Sequence, residues 1–208
     1  MDQPSILTRP PMSFAKKKAI AISIIGIIVL TIVILSILVE LEAPPQKEIL
    51  YSGGAKRALI VFHPSWKYHF QEDLTAAFAR GLNSQGWSVD RITTSFKMLS
   101  DFNTYDMYIF GTNTYYWSPD LPTKRFLTDI NLFQKPAVAI VSGPGYTERA
   151  EETMKELLDK ANASIVTIHA FSLFRPSEKS LMPDFNHLSS VDTAFLLGQE
   201  SGKRNSSE

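Results

Sequence analysis

The chain has 208 residues, 21 basic and 21 acidic side chains, a formal net charge of zero and no cysteine. Disulfides, thiolate metal sites, iron–sulfur clusters and cysteine nucleophiles are thereby excluded, and the lack of a basic domain disfavours nucleic-acid binding. The zero is a cancellation: residues 1–18 carry +3, Ala19–Val39 carry no charge, and residues 40–208 carry −3.

Residues 1–18 form a basic N-terminal tail ending in Lys16-Lys17-Lys18. The next 21 residues, AIAISIIGIIVLTIVILSILV (19–39), are apolar throughout. At about 1.5 Å per residue a helix of that length spans the ~30 Å of a bilayer core. The exit, Leu38-Val39-Glu40-Leu41-Glu42, offers no small-residue cleavage site. An uncleaved single-pass transmembrane helix is predicted. Lys16–Lys18 on one flank and Glu40 and Glu42 on the other place the N-terminus in the cytoplasm and the main domain outside. Lys47, Lys56 and Arg57 reduce that bias. Residues 40–55, with Pro44-Pro45 and Gly53-Gly54, read as a non-helical linker.

A domain over 56–201 alternates strands with helices, and 202–208 reads as a disordered tail. Strands are predicted at Arg57–Phe62, Trp87–Ile92, Tyr105–Gly111, Ala137–Ser142 and Ile165–Phe171 from short apolar runs. Helices are predicted at Phe70–Leu82, from Ser118 to about Phe133, at Thr147–Ala161 and at Val191–Gln199. Ser118-Pro119-Asp120 supplies a Ser N-cap, a first-turn Pro and a dipole-favoured acid. Arg175–Ser190 is a looser stretch, suited to a lid or a connection. The pattern gives an α/β fold: a three-layer sandwich around a five-stranded parallel sheet, preceded by one transmembrane helix. Such sheets bind ligands outside the carboxyl ends of the strands. His63–His69, Thr112–Ser118 and Gly143–Tyr146 are therefore the candidate site loops.

YDMYIFGTNTYYWSPDLPTKRFL (105–127) resembles the third strand, flavin-contacting loop and following helix of the flavodoxin-like family. KPAVAIVSGPGY (135–146) is similar to its fourth strand and second flavin loop. The resemblance spans Lys56 to about Arg175. It implies non-covalent FMN, with electron transfer to a membrane-bound redox partner or a quinone. Thr112, Asn113, Thr114, Tyr115 and Tyr116 would meet the isoalloxazine and ribityl chain, and Trp117 and Tyr146 would stack on the ring. Ser142, Gly143 and Gly145 would let backbone approach the ligand. These residues also have a structural use, as a packed loop and a turn before a helix. The first loop, FHPSWKYHF (62–70), departs from the family's Ser/Thr-x-Thr-Gly-x-Thr phosphate loop. His63-Pro64-Ser65 looks more like the opening of flavodoxin-like NAD(P)H quinone reductases, while Ser65, Lys67 and helix amides would hold a phosphate, and His63 would touch the phosphate or substrate or else serve as a hydrogen-bonded structural histidine. The alternatives are a fold that has lost the flavin and serves as a binding or scaffold module, and an NAD(P)H-dependent quinone reductase.

Other features carry less. His63 and His69 lie six apart, and no third ligand has metal-site spacing. Ser142-Gly143 lacks the Gly-x-Ser-x-Gly of a nucleophile elbow. Glu148, Glu151, Glu152 and Glu156 form a solvated helix face. Asn162-Ala163-Ser164 and Asn205-Ser206-Ser207 match glycosylation sequons.

Overall fold

The first helix forms where every backbone polar group can be satisfied within the segment. A computed structural model describes residues 14–64, 69–96, 102–172 and 190–204. The chain divides into two compact units, Met1–Val39 and Glu40–Glu208. The first holds α1 (Phe14–Val39). Within it, Thr31 and Ser36 return their hydroxyls to the carbonyls of Ile27 and Ile32, at 2.9 and 2.7 Å. Among the described residues one span, Lys16–Leu38, is long and apolar enough to cross a membrane.

The second unit is built on β1 (Lys47–Tyr51), β2 (Lys56–Phe62), α2 (Phe70–Asn83), β3 (Trp87–Thr93), β4 (Met107–Tyr115), β5 (Ser118–Pro119), α3 (Leu121–Thr128), β6 (Pro136–Gly143), α4 (Glu148–Lys160), β7 (Ser164–Ser172) and α5 (Ser190–Arg204). The sheet order is β1-β3-β2-β4-β6-β7. Five neighbours, β3-β2-β4-β6-β7, run parallel. Their side chains alternate between two cores. Ala58, Ile60, Ile109 and Ile140 pack against Leu74 and Phe78 of α2 and Ala194 and Leu197 of α5. Leu59, Val61, Phe110 and Val141 pack against Leu127 of α3 and Met154 and Leu158 of α4. The predicted three-layer sandwich is thus present. The chain lacks an α-helix between β3 and β4 among the described residues; a single 3₁₀ turn, Phe102–Thr104, stands there.

Several boundaries differ from the sequence reading. The linker 40–55 contains β1, which joins the sheet antiparallel to β3, with Lys47 opposite Ile92. The alternation in Lys-Glu-Ile-Leu-Tyr is too short to declare itself until β3 offers an edge. β4 begins at Met107 and continues to Tyr115, so most of the predicted flavin loop is strand. The cap of α3 is Asp120, not Ser118; Asp120 accepts from the Thr123 amide, and a proline stands in the helix's opening positions. That helix ends at Thr128 rather than near Phe133, because Leu132 turns inward and its amide donates to the Ala161 carbonyl at 2.7 Å. α5 continues to Arg204, past the expected limit at 201, and the Gly202 carbonyl accepts from the Trp87 indole at 3.3 Å.

His169 sits on β7 with its ring 4.5 Å from that of Phe171. Burial lowers its pKa from 6.5 to about 4. The unfolded chain therefore takes up this proton near pH 6.5, and the folded chain only near pH 4. Proton uptake favours the unfolded chain inside that window, so stability falls as pH falls through it. Urea midpoints recorded across the window should drop towards acid, and His169→Phe should flatten that part of the profile.

Candidate functional site at the carboxyl edge of the sheet

β2, β4 and β6 deliver the three candidate loops to one edge, because parallel strands all end on the same side. β4 does not open into a loop there. It turns back on itself as a hairpin, pairing Tyr115 with Ser118 and Thr114 with Pro119. The two turn residues are Tyr116 (φ 50°) and Trp117 (φ 60°). Both are left-handed, as a two-residue turn matching strand twist requires, and such positions favour Asn and Gly. Here two large aromatics occupy them, 64% and 59% exposed. Tyr146 repeats the pattern on the neighbouring loop: φ is 56° and the side chain is 78% exposed, next to Gly145 at φ 142°.

Below the hairpin lies a buried polar network. Asp120 is fully buried. Its Oδ2 accepts from the Thr112 hydroxyl and the Asn113 amide, each at 2.8 Å, and its Oδ1 accepts from the Thr123 amide at 2.8 Å. Asn113 Nδ2 donates to the His63 carbonyl at 2.9 Å, and Ser142 Oγ donates to Asn113 Oδ1 at 3.2 Å. This ties the carboxyl ends of β2, β4 and β6 together. Thr112, Asn113 and Ser142 therefore direct these groups inward.

Two buried atoms at the same edge have no partner among the described residues: Nδ1 of His63 and Oγ1 of Thr114. Thr114 also limits the next loop. A Cβ on Gly143 would lie 3.1 Å from Thr114 Cβ and 3.1 Å from Thr147 Cγ2. Tyr115 is half-buried, and its phenol is pushed up to about 12, first by burial and then by the charges of Asp120, Glu40 and Glu72. It is a neutral donor at ordinary pH. Ser65 and Lys67 lie outside the described residues. His69 opens α2 in the left-handed region (φ 48°), its side chain makes no cap bond, and its Nδ1 is 3.5 Å from Glu72. The first turn of α2 carries Glu72 and Asp73. Thr147 precedes α4 and donates its hydroxyl to Glu151 at 3.1 Å. Among the described residues no group of three His, Asp or Glu side chains is placed to hold a metal.

The sequence reading did not single out Asp120 as the residue that organises the edge. The signal was Asp120-Leu121-Pro122, an acid cap with proline just inside the helix. It also missed Glu40, whose Oε2 accepts from the Leu121 amide at 2.6 Å. No local pattern announces a contact over that sequence distance.

No family profile and no curated protein matches the chain. Solved structures do. A flavodoxin from the domain Archaea matches with a TM-score of 0.54 at 16% identity, over 72% of this chain and 99% of that one. The fold is flavodoxin-like. Oxidised flavodoxin 1 from Bacillus cereus matches at 0.52 and 15% identity, over 71% of this chain and 98% of that one. The flavodiiron protein from Giardia intestinalis matches at 0.55 and 17% identity, over 74% of this chain but 37% of that one, so the flavodoxin-like domain spans little more than a third of it.

Proposed function

We propose that the protein is a membrane-anchored flavodoxin-like protein that binds FMN non-covalently and takes part in electron transfer. One observation carries the reading. Tyr116 and Trp117 occupy left-handed positions at a cost of about 1–2 kcal/mol each, and both side chains stay more than half exposed at this edge. Strain held at the ligand edge of a doubly wound sheet is what a binding platform for a flat ring needs.

The residues fit the ring end of FMN. Trp117 and Tyr146 offer aromatic faces on adjacent loops, and His63 Nδ1 and Thr114 Oγ1, without partners among the described residues, offer polar contacts at the same edge. Gly143 keeps Thr114 close to the second loop. Ser65 and Lys67 are the proposed phosphate contacts. FMN would supply the one- and two-electron chemistry; the protein would tune it by stacking, hydrogen bonds and local charge. The helix α1 would confine the carrier to its membrane, with the N-terminus cytoplasmic, the domain outside and a membrane-bound redox partner or quinone within reach. A phosphatase fused to the C-terminus should be active only if the domain is exported.

The full chain in detergent, titrated with FMN, tests this. Quenched FMN fluorescence and a flavin absorption band travelling with the protein are expected; their absence sinks the reading. Trp117→Ala should weaken binding roughly tenfold, the equivalent of ~1.4 kcal/mol of lost stacking. The double change Tyr116→Asn with Trp117→Gly should separate the two effects. Relieving the left-handed strain should raise thermal stability by about 1–2 kcal/mol while FMN affinity falls. A flavin-free binding module is the second reading. The inward engagement of Thr112, Asn113 and Ser142 favours it, and a flat FMN titration would select it.

A further inference from the structure

A tight turn leads into β6. The Lys135 amide donates to the Leu132 carbonyl at 2.9 Å, and the two residues between, Phe133 (φ 52°) and Gln134 (φ 61°), are both left-handed. Such positions favour Asn and Gly, and a bulky side chain there carries a steric cost. Phe133 nevertheless stands 60% exposed. A second turn leads from α4 into β7, and its left-handed residue is Asn162 (φ 58°), the first residue of the sequon Asn162-Ala163-Ser164. The two turns are bonded together. The Leu132 amide donates to the Ala161 carbonyl and the Gln134 amide to the Asn162 carbonyl, each at 2.7 Å, and the Ser164 amide donates to the Lys135 carbonyl at 2.9 Å. Both turns precede parallel strands, so they lie at the amino edge of the sheet, opposite the candidate flavin loops.

The side chains close the same junction. Asn131 Oδ1 accepts from the Phe133 amide at 2.9 Å and from Asn162 Nδ2 at 3.4 Å. One oxygen thus gathers the backbone nitrogen of the phenylalanine and the side-chain nitrogen of the sequon, which puts Nδ2 within a side chain's length of Phe133. Gln134 Nε2 donates to Asn162 Oδ1. Asn162 is half-buried and Ser164 is exposed. A side-chain amide carries two N–H groups. The bond to Asn131 uses one of them, and the bond from Gln134 uses the oxygen. Replacing the other hydrogen by a sugar leaves both bonds in place, so the folded turn accepts the substituent.

We propose that Asn162 is an N-glycan attachment site and that the first sugar lies against Phe133. This rests on the reading of the domain as exported and goes beyond it. The donor is an oligosaccharide on a lipid pyrophosphate. The bond from Nδ2 to C1 of the first sugar forms, the C1–O bond to phosphate breaks, the amide proton passes to a base of the transferase, and the lipid pyrophosphate leaves. The Ser164 hydroxyl completes the acceptor motif. A pyranose has an apolar C–H face, and an aromatic ring is a flat apolar surface for it to cover. Phe133 is then an exposed ring with an occupant, held at the right place by the oxygen it shares with Asn162.

The test translates the full chain into endoplasmic reticulum microsomes, which hold both the transferase and its donor. The sequence has two sequons, at Asn162 and Asn205, so each is read alone. The Asn205→Gln chain should give one slower-migrating band that collapses on treatment with an amidase specific for N-glycans. Adding Ser164→Ala should abolish it, and a band that persists overturns Asn162 as the acceptor. No shifted band in the Asn205→Gln chain overturns the proposal. The Asn162→Gln chain then tells which premise failed: a shift there keeps export and removes Asn162 alone, and no shift removes export as well. Migration is read on the denatured chain, so a variant that misfolds is still scored. The contact with Phe133 is read by melting in detergent. The glycosylated Asn205→Gln chain should melt about 2–4 °C above the same chain made without microsomes, and Phe133→Ala should erase the difference. Equal melting, or a difference that survives Phe133→Ala, overturns the contact. FMN is titrated at the other edge of the sheet, so its failure to bind leaves these results readable.

Discussion

Asp120→Ala should destabilise the domain by about 4 kcal/mol. The change removes a cap, worth ~1–2 kcal/mol in a protein. It also strands the buried Asn113 amide, bonded to the carboxylate at 2.8 Å, and leaves the buried Thr112 hydroxyl only its longer bond to the Asn113 carbonyl at 3.3 Å. Each orphaned buried donor costs about 1–3 kcal/mol. Asp120→Asn keeps the shape but turns one acceptor into a donor, so about half that loss is expected. Chemical denaturation of the full chain in detergent gives both numbers. The functional consequence exceeds the thermodynamic one. Asp120 binds the last turns of β4 to the start of α3, so its loss should loosen the Tyr116–Trp117 hairpin and abolish FMN binding before the fold is lost. An Asp120→Ala protein that binds FMN unchanged would show that the hairpin does not need this carboxylate.

Gly198→Ala should cost about 3 kcal/mol, against the usual preference of helices for alanine. Helix propensity alone favours Ala over Gly by ~1 kcal/mol. Packing reverses the sign. A Cβ on Gly198 would lie 2.2 Å from the Phe78 carbonyl oxygen, and one on Gly81 would lie 2.1 Å from that of Phe195. The obstacle is backbone in both cases, so no rotamer change relieves it. α2 and α5 must separate, and Phe78, Leu82, Ala194 and Leu197 lose contact together. Overpacking of a rigid site sits at or above the upper end of the ~1–3 kcal/mol range, which outweighs the propensity gain. A fall in melting temperature of roughly 6–12 °C is expected for a domain of this size. Gly26→Ala, with nothing within 4 Å of the added Cβ, should leave the soluble domain unchanged.

The layers were legible because burial imposes a period. RALIVF and AVAIVS declare strands covered on both faces, and Ala150, Met154 and Leu158 mark the buried stripe of α4 at i, i+4, i+8. What was not legible depended on distant partners. Lys47–Tyr51 becomes a strand only because β3 presents a free edge. Thr112–Tyr115 extends β4 only because Ser118 and Pro119 return along it. Turn chemistry pointed the wrong way, since Tyr-Trp is not a sequence that announces a left-handed turn. The site residues followed the same division. The sequence located the edge and its aromatics, but their sharing between an inward network and an outward rim depends on Asp120, which the pattern marked only as a favourable helix acid. Ser65 and Lys67 belong to the part of the edge outside the described residues.

The placement of β1 has a practical consequence for handling this protein in pieces. A soluble fragment cut at Lys56, where the alternating pattern starts, would remove the one antiparallel neighbour of β3. Val89, Asp90, Arg91 and Ile92 would then offer unpaired amides and carbonyls along an open strand. Such an edge is a template for pairing with another copy. The fragment would also lose the Glu48 carboxylate that holds Arg91 at 2.6 Å, a charge that discourages that pairing. A fragment beginning at Glu40 keeps the edge covered and should stay monodisperse where the shorter one aggregates.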